Sequence, residues 1–330
     1  MPDPARVKRL AVRGPALVAA AVAGCVIVAC SNGPQPAPTP EAAWNHMDAE
    51  QATSLLERYN DRVEGLERLW ARATVVYEGS DSEGDRLREQ GEGHLQVRRP
   101  RDVALTIGKL GDTRLYFGSN DDRYWWIDTV DRDRKIAYVG DHEHMTPEKI
   151  RRLGLPLRPL GLIELLGISA LDAGNIESAL QSGPDAGDAT PTQRLTMIKP
   201  GGTRVLFEFE GEDAIRMAEP SRIVIASPDA PRIHADLSRY QTAFVGRNTN
   251  LRPRLATRFI VRGRAFDGEF RLSLYDPENR PIRDVAFQPQ RLLDAYGVER
   301  VIDLDKRAAD AQNADPAHRA DRARDAVAGG

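Results

Sequence analysis

Cysteine is nearly missing from this chain of 330 residues: there are two, Cys25 and Cys30, and neither lies beyond the N-terminal segment. Whatever follows Cys30 therefore has no disulfide framework and no thiol chemistry, and must be held by its own core. The two cysteines sit five positions apart in one apolar stretch, where their Cβ atoms do not face each other, so they do not bridge. Aromatic residues make up only 6% of the chain, and no basic run is interleaved with them as a single-strand groove requires. The formal net charge is −3, from 46 basic and 49 acidic residues, which implies no bulk attraction to nucleic acid.

Signals of catalysis are also thin. No Gly-x-Ser-x-Gly elbow occurs. Gly108-Lys109-Leu110-Gly111 lacks the spacing of a phosphate loop. The one close histidine pair is in Asp141-His142-Glu143-His144. On a strand both rings face one side, a partial metal site, but the sequence offers no third or fourth ligand and the segment reads as an exposed loop. His46, His94, His234 and His318 are scattered. Glu208 and Glu210 share a strand face and read as a solvated rim. No metal, no cofactor and no catalytic residue are expected, and an enzyme such as an envelope glycan hydrolase is the least favoured reading.

Long apolar runs are scarce too, and the main one stands near the start. Residues 16–29 follow the basic Arg6, Lys8, Arg9 and Arg13. A run of about 14 residues suits the apolar region of a signal peptide and is short for a membrane-spanning helix. It ends at a cysteine, as bacterial lipoprotein signals do. Val22-Ala23-Gly24-Cys25 fits the usual box before the lipidated cysteine in composition, and Ile27-Val28-Ala29-Cys30 fits it more loosely. Cys30 is favoured because apolar residues run past Cys25 and stop there, where polar Ser31-Asn32-Gly33 begins. Cys25 is the alternative, and a plain secretory signal or a short membrane anchor is the other reading. Neither Ser31 nor Val26, the residues after the two cysteines, is Asp. By the familiar sorting rule this points to the outer membrane, facing the periplasm.

The expected layout is a signal peptide over 1–29, a Pro-rich tether over 30–45, a folded domain over 46–305 and a mobile tail over 306–330. Prolines at every second position of 34–40 make the tether extended. The tail is rich in Ala, Asp and Arg and has too few large apolar residues to order itself.

Within the domain, Asp48 and Gln51 form a capping pair ahead of a helical stripe, Leu55, Leu56, Tyr59, Val63, Leu66, Leu69 and Trp70. The period then changes to two. Short alternating segments, such as Val103-Leu105-Ile107 and Leu115–Phe117, are separated by turns and argue an antiparallel meander. A helical region from Thr146 to about Leu166, broken by Pro156 and Pro159, is the most apolar part, and 171–181 reads as a further short helix. Strands resume at Leu195, Val205, Ile223, Ile233, Leu255 and Phe270, and Val285 with Phe287 opens the last. Trp125 and Trp126 point to opposite sheet faces, so one is buried and the other is free for a sugar ring or a partner, or for edge packing. One apolar and one Arg/Glu-rich face describe a sheet with one wet side. Roughly ten strands are too many for a flat sheet, so it curls and its concave face must be filled. The fold class is α+β: a curled antiparallel sheet, an incomplete β-barrel, with an N-terminal helix and a helical lid or plug.

This order resembles the LolA/LolB lipoprotein-localisation superfamily. Gly93-His94-Leu95-Gln96-Val97-Arg98-Arg99-Pro100-Arg101 is similar to that family's early strand leading into a basic residue and Pro. The hairpin from Tyr116 to Asp128, the strand Pro220-Ser221-Arg222-Ile223-Val224-Ile225 and the ending from Asp276 to Leu304 resemble it in the same order. The resemblance implies an incomplete barrel closed by helices whose apolar cavity takes acyl chains. Leu105, Ile107, Phe117, Trp126, Phe207, Ile223, Phe259 and Leu272 are candidates for the cavity surface, although a filled core has the same pattern. Leu157, Leu160, Leu162, Ile163 and Leu166 are candidates for the lid. The expected function is a membrane-anchored lipoprotein that binds an acylated ligand or lipoprotein in lipid or lipoprotein transport. The alternative is a structural or sensor lipoprotein with a filled barrel and an envelope protein as partner.

Overall fold

A computed structural model describes residues 44–80, 86–109, 112–129, 135–146, 149, 159–182, 190–228, 230–247, 250–263 and 268–306. Both cysteines, the signal segment, nearly all of the tether and all of the tail except Lys306 lie outside them.

The helix α1 spans Ala49–Val63. Its capping box is formed as the sequence predicts, with the Gln51 amide on Asp48 Oδ1 at 2.7 Å and the Asp48 amide on Gln51 Oε1 at 3.3 Å. The apolar stripe does not carry the helix to Trp70. Gly65 adopts φ +83, and a Cβ there would meet the Leu251 side chain at 2.8 Å, so the chain turns and Leu69 and Trp70 enter a strand.

Among the described residues, fifteen strands form one sheet in the order β1-β8-β9-β10-β11-β12-β13-β14-β2-β3-β4-β5-β6-β7-β15. The first half of the chain supplies β1 (Trp44–His46), β2 (Arg68–Ser80), β3 (Arg86–Arg98), β4 (Asp102–Lys109), β5 (Asp112–Ser119), β6 (Arg123–Asp128) and β7 (Ile136–Asp141). The second supplies β8 (Ile176–Ser182), β9 (Thr192–Ile198), β10 (Arg204–Glu210), β11 (Arg222–Ser227), β12 (Ala230–Thr242), β13 (Arg254–Gly263), β14 (Gly268–Glu278) and β15 (Arg300–Asp303). Neighbours are antiparallel except β7 and β15, which run parallel. The count exceeds the sequence expectation in part because β1, β8 and β15, at or next to the sheet edges, alternate weakly and carry little local signal.

The curl follows from the core. Leu195 on β9 and Phe117 on β5 belong to one apolar cluster, although nine strand steps separate them. At about 4.8 Å per step a flat sheet would hold these strands roughly 40 Å apart. Bending brings the apolar faces around α1 and a second helix, α2 (Pro159–Leu165). A short α3 (Glu212–Met217) connects β10 to β11.

Two local expectations are corrected. Residues 171–181 are not a helix: Asp172 caps a 3-10 turn over Ala173–Asn175, and β8 follows, paired to β9 and β1. Gly174 and Asn175 favour the turn, and β9 supplies a ladder that outweighs the helix propensity of Glu177 to Gln181. Val285 and Phe287 do not open a strand. They lie in a 3-10 turn, Asp284–Phe287, followed by α4 (Pro289–Tyr296) with Pro at its start and Gly297 at its end. His142 and His144 lie in a 3-10 turn with no buried residue, in keeping with the loop that the sequence suggests.

That C-terminal segment builds a second core on the outer face. Phe287, Leu292 and Leu293 pack on Ala104, Tyr116, Trp125, Ile127 and Ala137 of β4 to β7. Tyr116 donates to the Ala286 carbonyl at 2.8 Å, and Asn120 to the Phe287 carbonyl at 3.1 Å. Neither tryptophan is left for a sugar. Trp125 is fully buried beneath α4, and Trp126 meets Phe117 edge-on at 5.9 Å. This half of the sheet is covered on both sides.

The other half keeps a wet outer face. Across it runs an alternating ionic row: Arg194, Glu208, Arg222, Asp236, Arg262, Glu269, Arg271, Glu78 and Arg88. Direct register places Glu208 across from both Arg194 and Arg222, and the other acids of the row reach their arginines along or diagonally between strands. Trp44 of β1 closes the row by stacking on the Arg194 guanidinium at 3.7 Å. Glu208 is therefore not a solvated rim residue but a buried acid held by Arg194 at 2.6 Å.

Candidate functional site

The sheet's concave face brings the predicted cavity residues together. Leu105, Phe117, Phe207, Ile223, Phe259 and Leu272 expose between 0% and 4% of their surface. Ile107 and Trp126 are half-buried against the same cluster. The predicted lid residues Leu162, Ile163 and Leu166 belong to that cluster too, with Leu165 and Ile168 beside them and Leu160 packed at its margin. Leu157 lies outside the described residues. A side chain so little exposed borders no space that water can enter. At these positions the interior is closed, and α2 closes it.

What holds α2 down is polar and comes mainly from α1. Tyr59 donates its hydroxyl to the Gly167 carbonyl at 2.9 Å. Arg62 donates Nη2 to the same carbonyl at 2.7 Å and Nη1 to the Arg254 carbonyl at 2.7 Å. Arg99, from the turn after β3, donates to the Ile168 carbonyl at 3.0 Å. Asn60 completes the tie, giving to the Leu171 carbonyl at 2.9 Å and receiving the Leu171 amide at 2.8 Å. Gly167 makes the approach possible: its φ is +62, and a Cβ would lie 2.8 Å from Ile223 Cδ1. The rings of Tyr59 and Phe207 meet edge-on at 5.4 Å, and the Arg62 guanidinium lies over the Tyr59 ring at 4.5 Å. Burial pushes the Tyr59 hydroxyl up to about 12, against the lowering influence of Arg62 and Arg99. Burial likewise lowers Arg99, with Glu67 opposing it.

Sequence reasoning placed Tyr59 only in the apolar stripe and Arg99 only in the early-strand stretch, and named neither Asn60 nor Arg62. The signal was Arg62, which falls on the apolar stripe of α1 at helical spacing from Leu55 and Tyr59. A cation on a buried face calls for a partner, and here the partners are carbonyls.

Elsewhere the histidine segment gains a third group. Ligand atoms of Asp141, His144 and Asp305 lie within 4.8 Å of one another, and His142 turns away onto the Asn120 carbonyl at 3.0 Å. Two cations already balance the two carboxylates: Arg123 on Asp141 at 3.0 Å and Lys149 on Asp305 at 2.6 Å. The Asp141 amide also gives to Asp305 at 2.7 Å. The cluster acts as a clasp between β7 and the end of β15 rather than as a charge sink for a dication. A separate open groove of about 270 Å³ lies at the start of α1, lined by Asp48, Glu50, Gln51, Ser54, Arg58 and Gln193. Its polar walls do not suit an alkyl chain.

Solved structures resemble this chain at low identity. One is a LolA superfamily protein from Nitrosomonas europaea, 12% identical, with a TM-score of 0.41 over 72% of this chain and 97% of that one. Another is described as an outer membrane lipoprotein-sorting protein domain, from Vibrio parahaemolyticus, 11% identical, with a TM-score of 0.44 over 74% and 97%. A DUF1329 family protein from Desulfovibrio piger is 11% identical, with a TM-score of 0.36 over 74% and 98%. No family model and no curated protein matches the sequence. Among the described residues no helix is long and apolar enough to cross a membrane.

Proposed function

We propose that this protein is an envelope lipoprotein, anchored through lipid on Cys30, that takes an acyl chain into the space α2 now fills. One observation carries the reading. The most apolar helix of the domain lies in the concave face and is fastened by hydrogen bonds to backbone carbonyls of Gly167, Ile168 and Leu171. These polar ties gather just after the end of α2, where their release would free the helix as a unit.

The energetics permit the exchange. Burial of Leu162, Ile163, Leu165, Leu166 and Ile168 contributes on the order of 10 kcal/mol, at about 2 kcal/mol for each side chain. A sixteen-carbon acyl chain contributes about 12 kcal/mol, at roughly 0.8 kcal/mol per buried methylene. The two terms nearly cancel, which is what reversible loading requires. No catalytic step is assigned, and no cofactor. The ligand is an acylated molecule or lipoprotein, and the proposed site of action is the outer membrane, facing the periplasm.

A second reading is favoured by a specific fact: six of the eight cavity candidates are at most 4% exposed. A barrel that stays filled would work through its surface, with a protein partner in the envelope. Native mass spectrometry with lipid extraction on the protein purified from bacterial envelope separates the two. A co-purifying acylated molecule supports the carrier. A protein free of lipid that also takes up no fluorescent fatty-acid probe leaves the filled barrel.

A further inference from the structure

Arg62 is 6% exposed, yet among the described residues no carboxylate lies within ion-pair distance of it, and the same holds for Arg99. The acids nearby are engaged or face water. Glu219 pairs with Arg254 at 2.6 Å, and Glu67 is exposed and accepts from Asn279 at 3.3 Å. Tyr59 and Tyr240, the rings against Arg62, carry no charge, since burial raises both hydroxyls. Each guanidinium also keeps a buried Nε with no hydrogen-bond partner. Two cations thus converge on consecutive carbonyls, Gly167 and Ile168, with donors to spare.

Buried guanidinium without an anion is costly, and a hydrophobic residue of similar volume would serve a permanent core better. Carbonyl dipoles compensate only while α2 is in place. When α2 leaves, the Gly167 and Ile168 carbonyls that follow it leave too, and Arg62 keeps only the Arg254 carbonyl. Two arginines then stand beside the apolar space with unfilled donors, and guanidinium is suited to bidentate recognition of a carboxylate or a phosphate.

We propose that the ligand is an anionic amphiphile: an alkyl chain that replaces α2 in the concave face, and a carboxylate or phosphate head that replaces the Gly167 and Ile168 carbonyls on Arg62 and Arg99. This rests on the acyl-carrier reading and narrows it. A neutral lipid fills the same apolar space but leaves both cations without a partner.

The test uses the full chain with Cys25→Ala and Cys30→Ala, so that no attached lipid competes, in one detergent throughout. Binding of palmitate, hexadecyl phosphate and hexadecanol is measured by native mass spectrometry, with both acidic head groups ionised. The expected result is a preference of about tenfold or more for at least one anionic ligand over hexadecanol. The ratio should collapse toward one in Arg99→Gln and in Arg62→Gln. Whichever anionic arm is stronger tells a fatty acid from a phosphorylated lipid. Equal binding of hexadecanol by the unsubstituted arginine protein overturns the head-group inference and leaves the carrier reading standing. A preference that persists in both variants removes it from these arginines. Binding of none of the three overturns the carrier reading itself. The comparison among ligands on the unsubstituted arginines does not depend on either variant folding.

Discussion

Tyr59→Phe isolates one tie between α1 and α2. The ring stays, so its edge contacts with Phe207 at 5.4 Å and Phe209 at 6.5 Å are kept. Only the hydroxyl on the Gly167 carbonyl is lost. That carbonyl still accepts from Arg62 at 2.7 Å and is not orphaned, so the cost is that of one net hydrogen bond, about 1 kcal/mol. About 1 kcal/mol corresponds to a roughly fivefold change in the opening equilibrium. Native-state hydrogen exchange reads this directly. The amides of Leu166 and Gly167 bond to the carbonyls of Leu162 and Glu164, and their protection reports whether α2 is in place. They should exchange through an opening of lower free energy than the ladder amides of β10 and β11, and about five times faster in Tyr59→Phe. Equal exchange free energies for α2 and for β10 in the parent protein would refute the reasoning, because α2 would then leave only when the whole sheet unfolds.

Glu208→Gln should cost about 1–3 kcal/mol in a urea titration, because it removes the buried acid that pairs with Arg194 at 2.6 Å, while Arg222 keeps Asp236. Asp276→Asn, whose pair with Arg72 lies largely in water, should leave the midpoint within error, and equal effects would deny the row a structural role. His94, His142 and His234 all sit below the usual value of 6.5, each chiefly through burial. The fold favours their neutral forms, so the stability they contribute is complete above 6.5 and is lost as pH falls below it. The urea midpoint should drop between about pH 7 and about pH 5, and a rise over that window would contradict the assignment. Cys30→Ala should move the protein from the membrane to the soluble fraction while Cys25→Ala should not, and the opposite fractionation places the anchor on Cys25.

What the sequence displayed was decided by periodicity. Alternation in β10, β12 and β13 fixes which side chains face inward, and Val205, Phe207, Ile233 and Phe259 are buried as their spacing predicts. The capping box at Asp48 and Gln51 is local and was legible for the same reason. The second core was not. Ala286, Phe287, Leu292 and Leu293 matter because they cover Trp125, and nothing local says that a sheet face is shared with a segment 160 residues away. The latch was hidden in a similar way. Tyr59 and Arg62 announce themselves on α1, but their partners are backbone carbonyls, which look alike in any sequence. Only Arg62, charged on an apolar stripe, could have raised the question.

The two halves of the sheet resist bending for different reasons. β4 to β7 are packed on both faces, by the concave cluster inside and by α4 outside, and the Lys149–Asp305 clasp fixes their edge. β9 to β13 have one apolar face and an ionic row that favours a single register across successive strands. Bending either half would break ladders or buried ion pairs over its full width. Releasing α2 breaks a few hydrogen bonds and exposes five apolar side chains, a loss that an incoming alkyl chain offsets. On the carrier reading, release of α2 is the deformation that exposes the apolar interior, and it ends at Arg62 and Arg99, which have no anion partner among the described residues.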